Sequence, residues 1–349
     1  MNAKLIIADS ESNADLFYAT RFLAHDPLIF IEAGGKKMII VSSLEFGRAK
    51  RQAKVDEVIL SKAGKGKAIE EVAAILKKRG VKEIQVQESF AYSVAKKFEA
   101  EGFTFDITSS LFPERGIKTK EEVAWIEEAQ RATEAALTVG LTVLRTPGAT
   151  SESVRKAIDA HLFDAGYDAK ETIVAGGTQA ADPHEQGKGP LRKGETIVID
   201  IFPRSRKTRY FADMTRTVCI GEPSVKLQKM YDAVLGAQEL IFSMLKPGIP
   251  GQDIQGVVEK FFQAQGFPRT ETQGAPEGFI HGVGHSVGLE LHERPSINNS
   301  NDVLREGNVV TIEPGLYYRD VGGVRIEDIV LITKDGYRNL TNFPKQFVL

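Results

Sequence analysis

The sequence holds 349 residues, 42% hydrophobic and 26% charged, with 45 Lys and Arg against 47 Asp and Glu for a net charge of −2. Such a chain is long enough for two cores, and its near-neutral balance gives no electrostatic case for nucleic acid or an anionic membrane. One cysteine, Cys219, excludes an intramolecular disulfide and a thiolate metal cage. No run reaches the length of a membrane span, and the first ten residues lack the apolar stretch of a signal peptide, so a cytoplasmic location is expected.

In chain order, residues 28–32, 37–41 and 58–60 read as strands, with Gly34-Gly35 turning between the first two. Residues 68–79 have helical spacing and stop at Gly80; residues 84–87 form the next strand and 92–101 the next helix, ending at Gly102. Strand alternating with helix predicts a mainly parallel sheet covered by helices, an α/β domain over residues 1–115. No glycine-rich phosphate loop follows these strands, so nucleotide binding is not supported. A boundary falls near 111–119, and a second domain over 116–349 opens with a long amphipathic helix from Lys120, apolar at Val123, Ile126, Ala129, Ala132 and Leu137.

That second domain echoes itself. Residues 147–167 align without a gap on 247–267, pairing Pro147 with Pro247, Val154 with Ile254, Ile158 with Val258, Leu162 with Phe262 and Gly166 with Gly266. Pro-Gly before an amphipathic helix is common punctuation, but here a preceding long helix and following strand-like sequence recur as well. A duplicated half predicts pairing about a pseudo-two-fold axis, with a site at the join.

Four strand-like runs carry a carboxylate where a core strand is expected to be apolar. They are Asp200 after Thr-Ile-Val-Ile, Asp213 in Ala-Asp-Met-Thr-Arg-Thr, Glu313 in Ile-Glu-Pro-Gly and Glu327 in Val-Arg-Ile-Glu-Asp-Ile-Val. Taken singly, Asp200 could be a turn residue, Asp213 could pair with Arg216 on a solvated face, and Glu313 could mark a strand end. Glu327 could pair with Arg325, two residues away on the same strand face. Taken together, four buried acids repel one another unless a divalent metal balances them. His281-Gly-Val-Gly-His285 and His292 place three of the six histidines in one glycine-rich, non-helical segment. One imidazole with four carboxylates is an oxygen-rich set suited to manganese, cobalt, iron(II) or zinc in a paired site.

At these residues the sequence resembles the metallopeptidase family of Xaa-Pro dipeptidase (prolidase), aminopeptidase P and methionine aminopeptidase. The likeness rests on Asp200, Asp213-Met-Thr-Arg-Thr, His281-Gly-Val-Gly-His285, His292-Glu-Arg-Pro, Glu313-Pro-Gly and Arg325-Ile-Glu327-Asp. It implies an α/β fold: a creatinase-like N-terminal domain, as in the proline-specific branch, followed by a pseudo-two-fold pita-bread catalytic domain. It further implies two divalent metal ions per chain, manganese foremost, on Asp200, Asp213, His285, Glu313 and Glu327. His281 and His292 would contact substrate and the tetrahedral intermediate, His184 matches a further histidine of the family's catalytic pocket, and Glu313 would shuttle the proton. Arg325 would hold a substrate terminus by charge.

The implied activity is hydrolysis of Xaa-Pro bonds in a proline-containing peptide by a homodimer, with dipeptidase and aminopeptidase both open. A non-proline metallohydrolase and a non-catalytic binding module on the same scaffold are the alternatives. The chain departs from the family at Phe202-Pro203, where a glycine is usual, and in a longer hairpin, 204–209. This makes Asp200 the ligand to question first, and the hairpin's cations are expected near the site mouth.

Overall fold

The computed structural model describes residues 1–62 and 68–349. They form two compact units, Met1–Arg115 and Gly116–Leu349.

The first unit runs β1 (Asn2–Ala8), α1 (Ala14–Thr20), β2 (Leu28–Ala33), β3 (Lys36–Val41), α2 (Ser43–Gln52), β4 (Glu57–Leu60), α3 (Ala68–Lys78), β5 (Glu83–Gln87), α4 (Tyr92–Ala100) and β6 (Thr104–Thr108). The sheet order is β4-β3-β2-β1-β5-β6. It is mixed rather than mainly parallel. β3/β4, β1/β5 and β5/β6 are parallel, but β1/β2 and β2/β3 are antiparallel. The β2/β3 pair follows from the turn at Gly34 and Gly35, with φ of 61° and 74°. Two successive left-handed residues make a tight hairpin and return β3 alongside β2. One apolar cluster, centred on Leu5, Ile31, Ile40 and Leu76, packs against α3 and α4. Leu16, Phe22, Phe30 and Ile39 belong to a second cluster with α1.

The second unit opens with α5 (Lys120–Leu144) and α6 (Ser151–Asp164). Thr119 caps α5 in a reciprocal box with Glu122, and Thr150 caps α6 in one with Ser153; each satisfies two backbone donors of a first turn. Next come β7 (Tyr167–Asp168), β8 (Ile173–Gly176), β9 (Thr196–Ile201), β10 (Arg204–Ser205) and β11 (Met214–Cys219). The second half repeats the plan with α7 (Val225–Met244) and α8 (Gly251–Ala264), then β12 (Thr270–Thr272) and β13 (Ala275–Glu277). α6 and α8 occupy the segments that echo in sequence, offset by one hundred residues. The residue before each helix bridges to a later segment, Thr150 to Pro190 and Pro250 to Val303.

The remaining strands are β14 (Gly284–Ser286), β15 (Glu293–Ile297), β16 (Val309–Ile312), β17 (Gly315–Tyr318), β18 (Gly322–Arg325), β19 (Asp328–Thr333) and β20 (Gly336–Asn339). β8, β9 and β11 form one antiparallel sheet, while β15-β14-β16-β19-β20 form another. β16 pairs with β19 and β17 with β18. These four short strands therefore make one long hairpin that breaks at Pro314 on one arm and at Ile326-Glu327 on the other. The expected unbroken strand through Glu327 is thus two strands with a corner between them. α7 and α8 cover this hairpin through Met230, Val234, Ile254, Val258 and Phe262, packed on Val310, Ile312, Val324 and Ile326. Among the described residues no helix is long and apolar enough to cross a membrane.

Candidate metal centre

The β9–β11 register sets the first two acids. Asp200 stands opposite Thr215, so the strand period of two places Asp200, Thr215, Thr217 and Asp213 on one face. The other two acids sit at the hairpin corner. Glu313 follows β16 and donates its N–H to the Val283 carbonyl at 2.8 Å; Glu327 precedes β19 and donates its N–H to the Thr215 carbonyl at 3.0 Å. His285 lies on β14, whose neighbour Gly284 touches β16. A Cβ there would lie 2.0 Å from the Thr311 carbonyl oxygen, so only glycine allows the approach.

All nine sequence-predicted site residues line one cavity of about 680 Å³: His184, Asp200, Asp213, His281, His285, His292, Glu313, Arg325 and Glu327. Donor atoms of Asp213, His285 and Glu327 lie within 4.8 Å of one another. His285 Nε2 lies 3.2 Å from Glu313 Oε1 and 3.8 Å from Asp213 Oδ2. Its Nδ1 donates to the Ser286 carbonyl at 3.2 Å, which aims Nε2 at the acids. Asp200 does not join the tightest cluster. Its Oδ2 accepts from Arg325 at 2.7 Å, while its Oδ1 is buried without any hydrogen-bond partner.

The titration pattern records crowded charge. Burial first, then Glu327, Asp200 and Glu313, push the Asp213 carboxyl well above its usual value. Burial and the Glu313 and Asp200 charges do the same to Glu327. Burial also raises Asp200, although Arg325 opposes it. Glu313 goes the other way. Burial works against its charge, yet the His285 hydrogen bond and nearby cationic groups draw it down to about 2. Buried acids whose carboxyls burial and neighbouring charge push up, beside a carboxylate oxygen with no partner, form a donor set that lacks its counter-charge. A divalent cation meets that need in charge and in hard oxygen ligands.

Two ion pairs weighed from the sequence as alternatives to metal ligation do not form. Arg216 does not face Asp213. It meets Asp328 at 2.8 Å within the core and donates to the carbonyls of Thr215, Glu327, Phe343 and Pro344. Arg325 pairs with Asp200 rather than Glu327, because its strand ends before Glu327 and the corner turns the two apart. The cations of 204–209 do not line the cavity. Arg206 pairs with Asp168 at 2.7 Å and lies over the Phe163 ring, because β10 pairs with β7. Of this segment's neighbours, Phe202 is the one that reaches the cavity wall.

Sequence reasoning missed three supporting residues. Thr215 Oγ1 donates to Glu327 at 2.7 Å and accepts from Arg325 Nε at 3.1 Å. Thr217 Oγ1 exchanges hydrogen bonds with the Arg325 backbone at 2.8 and 2.9 Å. Tyr317, 1% exposed, joins Arg325 at 2.8 Å to His281 Nε2 at 2.9 Å. Burial above all pushes the Tyr317 phenol up to about 12, so it remains a donor to His281, whose Nδ1 is held by the Gly282 carbonyl at 2.7 Å. The alternation Asp213-x-Thr215-x-Thr217 is the signal that could have found the two threonines; none marked Tyr317.

Residues 124–334 match the model of metallopeptidase family M24. The Xaa-Pro dipeptidase of Pyrococcus furiosus is 31% identical over 90% of this chain and 87% of its own. The structure of an Xaa-Pro dipeptidase from Bacillus anthracis superposes with a TM-score of 0.88 at 28% identity, covering 99% of this chain and 95% of that one. That of an X-Pro aminopeptidase from Thermotoga maritima gives 0.86 at 28% identity, over 100% and 98%. The α/β fold expected of the pita-bread scaffold is the fold of these proteins.

Proposed function

The chain belongs to metallopeptidase family M24, and from that premise we propose that it hydrolyses the bond before proline at a peptide N-terminus, using divalent metal on Asp200, Asp213, His285, Glu313 and Glu327. The observation that carries this reading is the buried, unpartnered Asp200 Oδ1 on a cavity shared with three further acids and an imidazole. Relatives that are named for Xaa-Pro hydrolysis support the choice of bond. The donor set favours two ions per chain and manganese over cobalt, iron(II) or zinc. We further read the first unit as creatinase-like and the protein as a cytoplasmic homodimer.

Divalent metal held by these five residues would supply an activated water at neutral pH and Lewis acidity toward the scissile carbonyl. The chain's own residues do the rest. Glu313, held by Thr311 Oγ1 at 3.1 Å and kept ionised, accepts the proton of the attacking water. His292 and His184 line the wall from which donors reach the developing oxyanion and the imide nitrogen. His281 holds the wall through Tyr317 and Gly282, since both ring nitrogens are engaged. Ile173, Phe202, Ile280 and Leu291 give an apolar surface for the proline ring. A nitrogen without N–H suits a site that recognises the ring by packing.

Glu313→Ala is the test. The purified variant is expected to keep its fold and lose metal-dependent cleavage of Ala-Pro-Ala. Unchanged turnover sinks the proposal, and less than one metal per wild-type chain, purified without chelator, favours a binding module.

A further inference from the structure

The charge pattern of the cavity separates dipeptides from longer peptides. Its walls hold Asp200, Asp213, Glu313 and Glu327, all largely buried, and the exposed Glu171. Among the described residues that line it, Arg325 is the one lysine or arginine. That guanidinium is 4% exposed and already engaged. Nη2 donates to Asp200 at 2.7 Å, Nε to Thr215 at 3.1 Å, and Nη1 to Tyr317 at 2.8 Å and the Pro183 carbonyl at 3.4 Å. Meeting a substrate carboxylate would cost it the Asp200 pair. The other polar wall groups include the neutral Gln186, Ser296 and Asn298. Asn298 Oδ1 accepts from the Ser300 N–H at 2.9 Å, which leaves its amide nitrogen as the donor it can offer.

An Xaa-Pro dipeptide carries its free carboxylate on the proline; with the four acids balanced by bound metal, that charge still meets no disengaged lysine or arginine on the wall, an unfavourable burial. A longer peptide presents a neutral amide at the same place. Its carbonyl can accept from Asn298, and its N–H can donate to Ser296 or Gln186. A cavity of about 680 Å³ has room for the added residue.

We infer that the enzyme is an aminopeptidase for peptides of three or more residues, with the neutral Ser296–Asn298 wall as the determinant; this rests on the Xaa-Pro reading above. Water adds its oxygen to the Xaa carbonyl carbon, the C–N bond breaks, and the imide nitrogen takes a proton, releasing Xaa and Pro-Yaa.

The experiment compares kcat/KM for Ala-Pro, its C-terminal amide and Ala-Pro-Ala, using full-length protein loaded in turn with manganese, cobalt and zinc. The amide and the tripeptide are expected to exceed Ala-Pro at least tenfold. Ser296→Arg, which adds a cation to the wall, is expected to raise Ala-Pro relative to its amide about tenfold. Parity or a preference for Ala-Pro in the wild type overturns the inference, and an unmoved ratio in Ser296→Arg overturns the assignment to this wall. Failure to cleave any of the three sinks the Xaa-Pro reading itself.

Discussion

Replacing Asp213 by asparagine separates the demands of metal binding from those of folding. Asp213 is 4% exposed, and its ligand oxygen lies within 4.8 Å of that of Glu327. Two unit charges at that separation repel by about 3 kcal/mol at an effective dielectric near 20. Without metal, the folded protein favours the protonated forms of Asp213 and Glu327, whose carboxyls burial and neighbouring acids hold well above their usual values. Such a raised carboxyl stabilises the fold fully below the ordinary carboxylate range near pH 4, and the contribution disappears as pH rises through the raised value. Asparagine keeps the shape and drops the charge. In excess chelator at pH 8, Asp213→Asn is therefore expected to be more stable than wild type by about 1–3 kcal/mol. That corresponds to a Tm roughly 3–10 °C higher for a domain of this size. At pH 4 the advantage closes, and with metal restored the order reverses because the variant has lost a ligand. Scanning calorimetry in chelator and in manganese reads all three. A variant that melts at or below wild type in chelator at pH 8 refutes the reasoning.

Arg216→Lys strands several buried carbonyls and one side of Asp328. It should lose about 2–4 kcal/mol in urea unfolding, and metal affinity should fall roughly 10–100-fold in a chelator competition because the Glu327 backbone is released. Unchanged affinity would confine Arg216 to folding. Gly284→Ala drives a Cβ into the Thr311 carbonyl and should cost about 3 kcal/mol together with metal binding. Gly256→Ala in α8, where a Cβ meets open space, is its neutral or slightly stabilising control. Asp328→Asn probes the opposite sign to Asp213. Burial works against the Asp328 charge, but Arg216 and Lys345 hold its carboxyl below the usual value. Its contribution is present above about pH 4 and lost as pH falls through the lowered value. The variant should trail wild type by about 2–3 kcal/mol at pH 7 and draw level toward pH 3 in urea unfolding, and a gap independent of pH would exclude this origin.

The repeat, the helices and the acids were legible because each leaves a local mark. Pro-Gly before an amphipathic run announces α6 and α8, and a carboxylate closing Thr-Ile-Val-Ile stands out against a buried strand. The partners of Arg216 and Arg325 were not legible, since both choices are made across more than one hundred residues. Arg216 faces Asp328 because β11 lies beside the corner that carries Glu327, and Arg325 faces Asp200 because Thr217 ties its backbone to β11. The strand break at Ile326-Glu327 was hidden for a related reason. Val-Arg-Ile-Glu-Asp-Ile-Val reads as one strand by propensity, and only the pairing of β16 with β19 and of β17 with β18 shows that the ladder bends there. The antiparallel β1/β2 pair of the first unit was missed because β1 lies between β2 and β5, a sheet order that periodicity does not encode, whereas Gly34-Gly35 marked the β2/β3 turn.

The corner explains how like charges are assembled before any cation arrives. A strand break leaves backbone donors unpaired, a cost that is normally avoided in a core. At both breaks the freed donor is used: the Glu313 N–H reaches the Val283 carbonyl, on the segment leading to His285, and the Glu327 N–H reaches Thr215, two residues from Asp213. Each ligand is thereby pinned to the chain segment of another ligand rather than to its own hairpin. Thr215 adds a side-chain hydrogen bond to Glu327, and Arg216 grips the Glu327 carbonyl from the opposite side. Four acids held this firmly cannot relax apart to relieve their repulsion, so the strain is expressed as raised carboxyls on Asp200, Asp213 and Glu327 and a less stable metal-free state. Preorganisation for the metal and instability without it are therefore the same property, and a variant that relieves one is expected to forfeit the other.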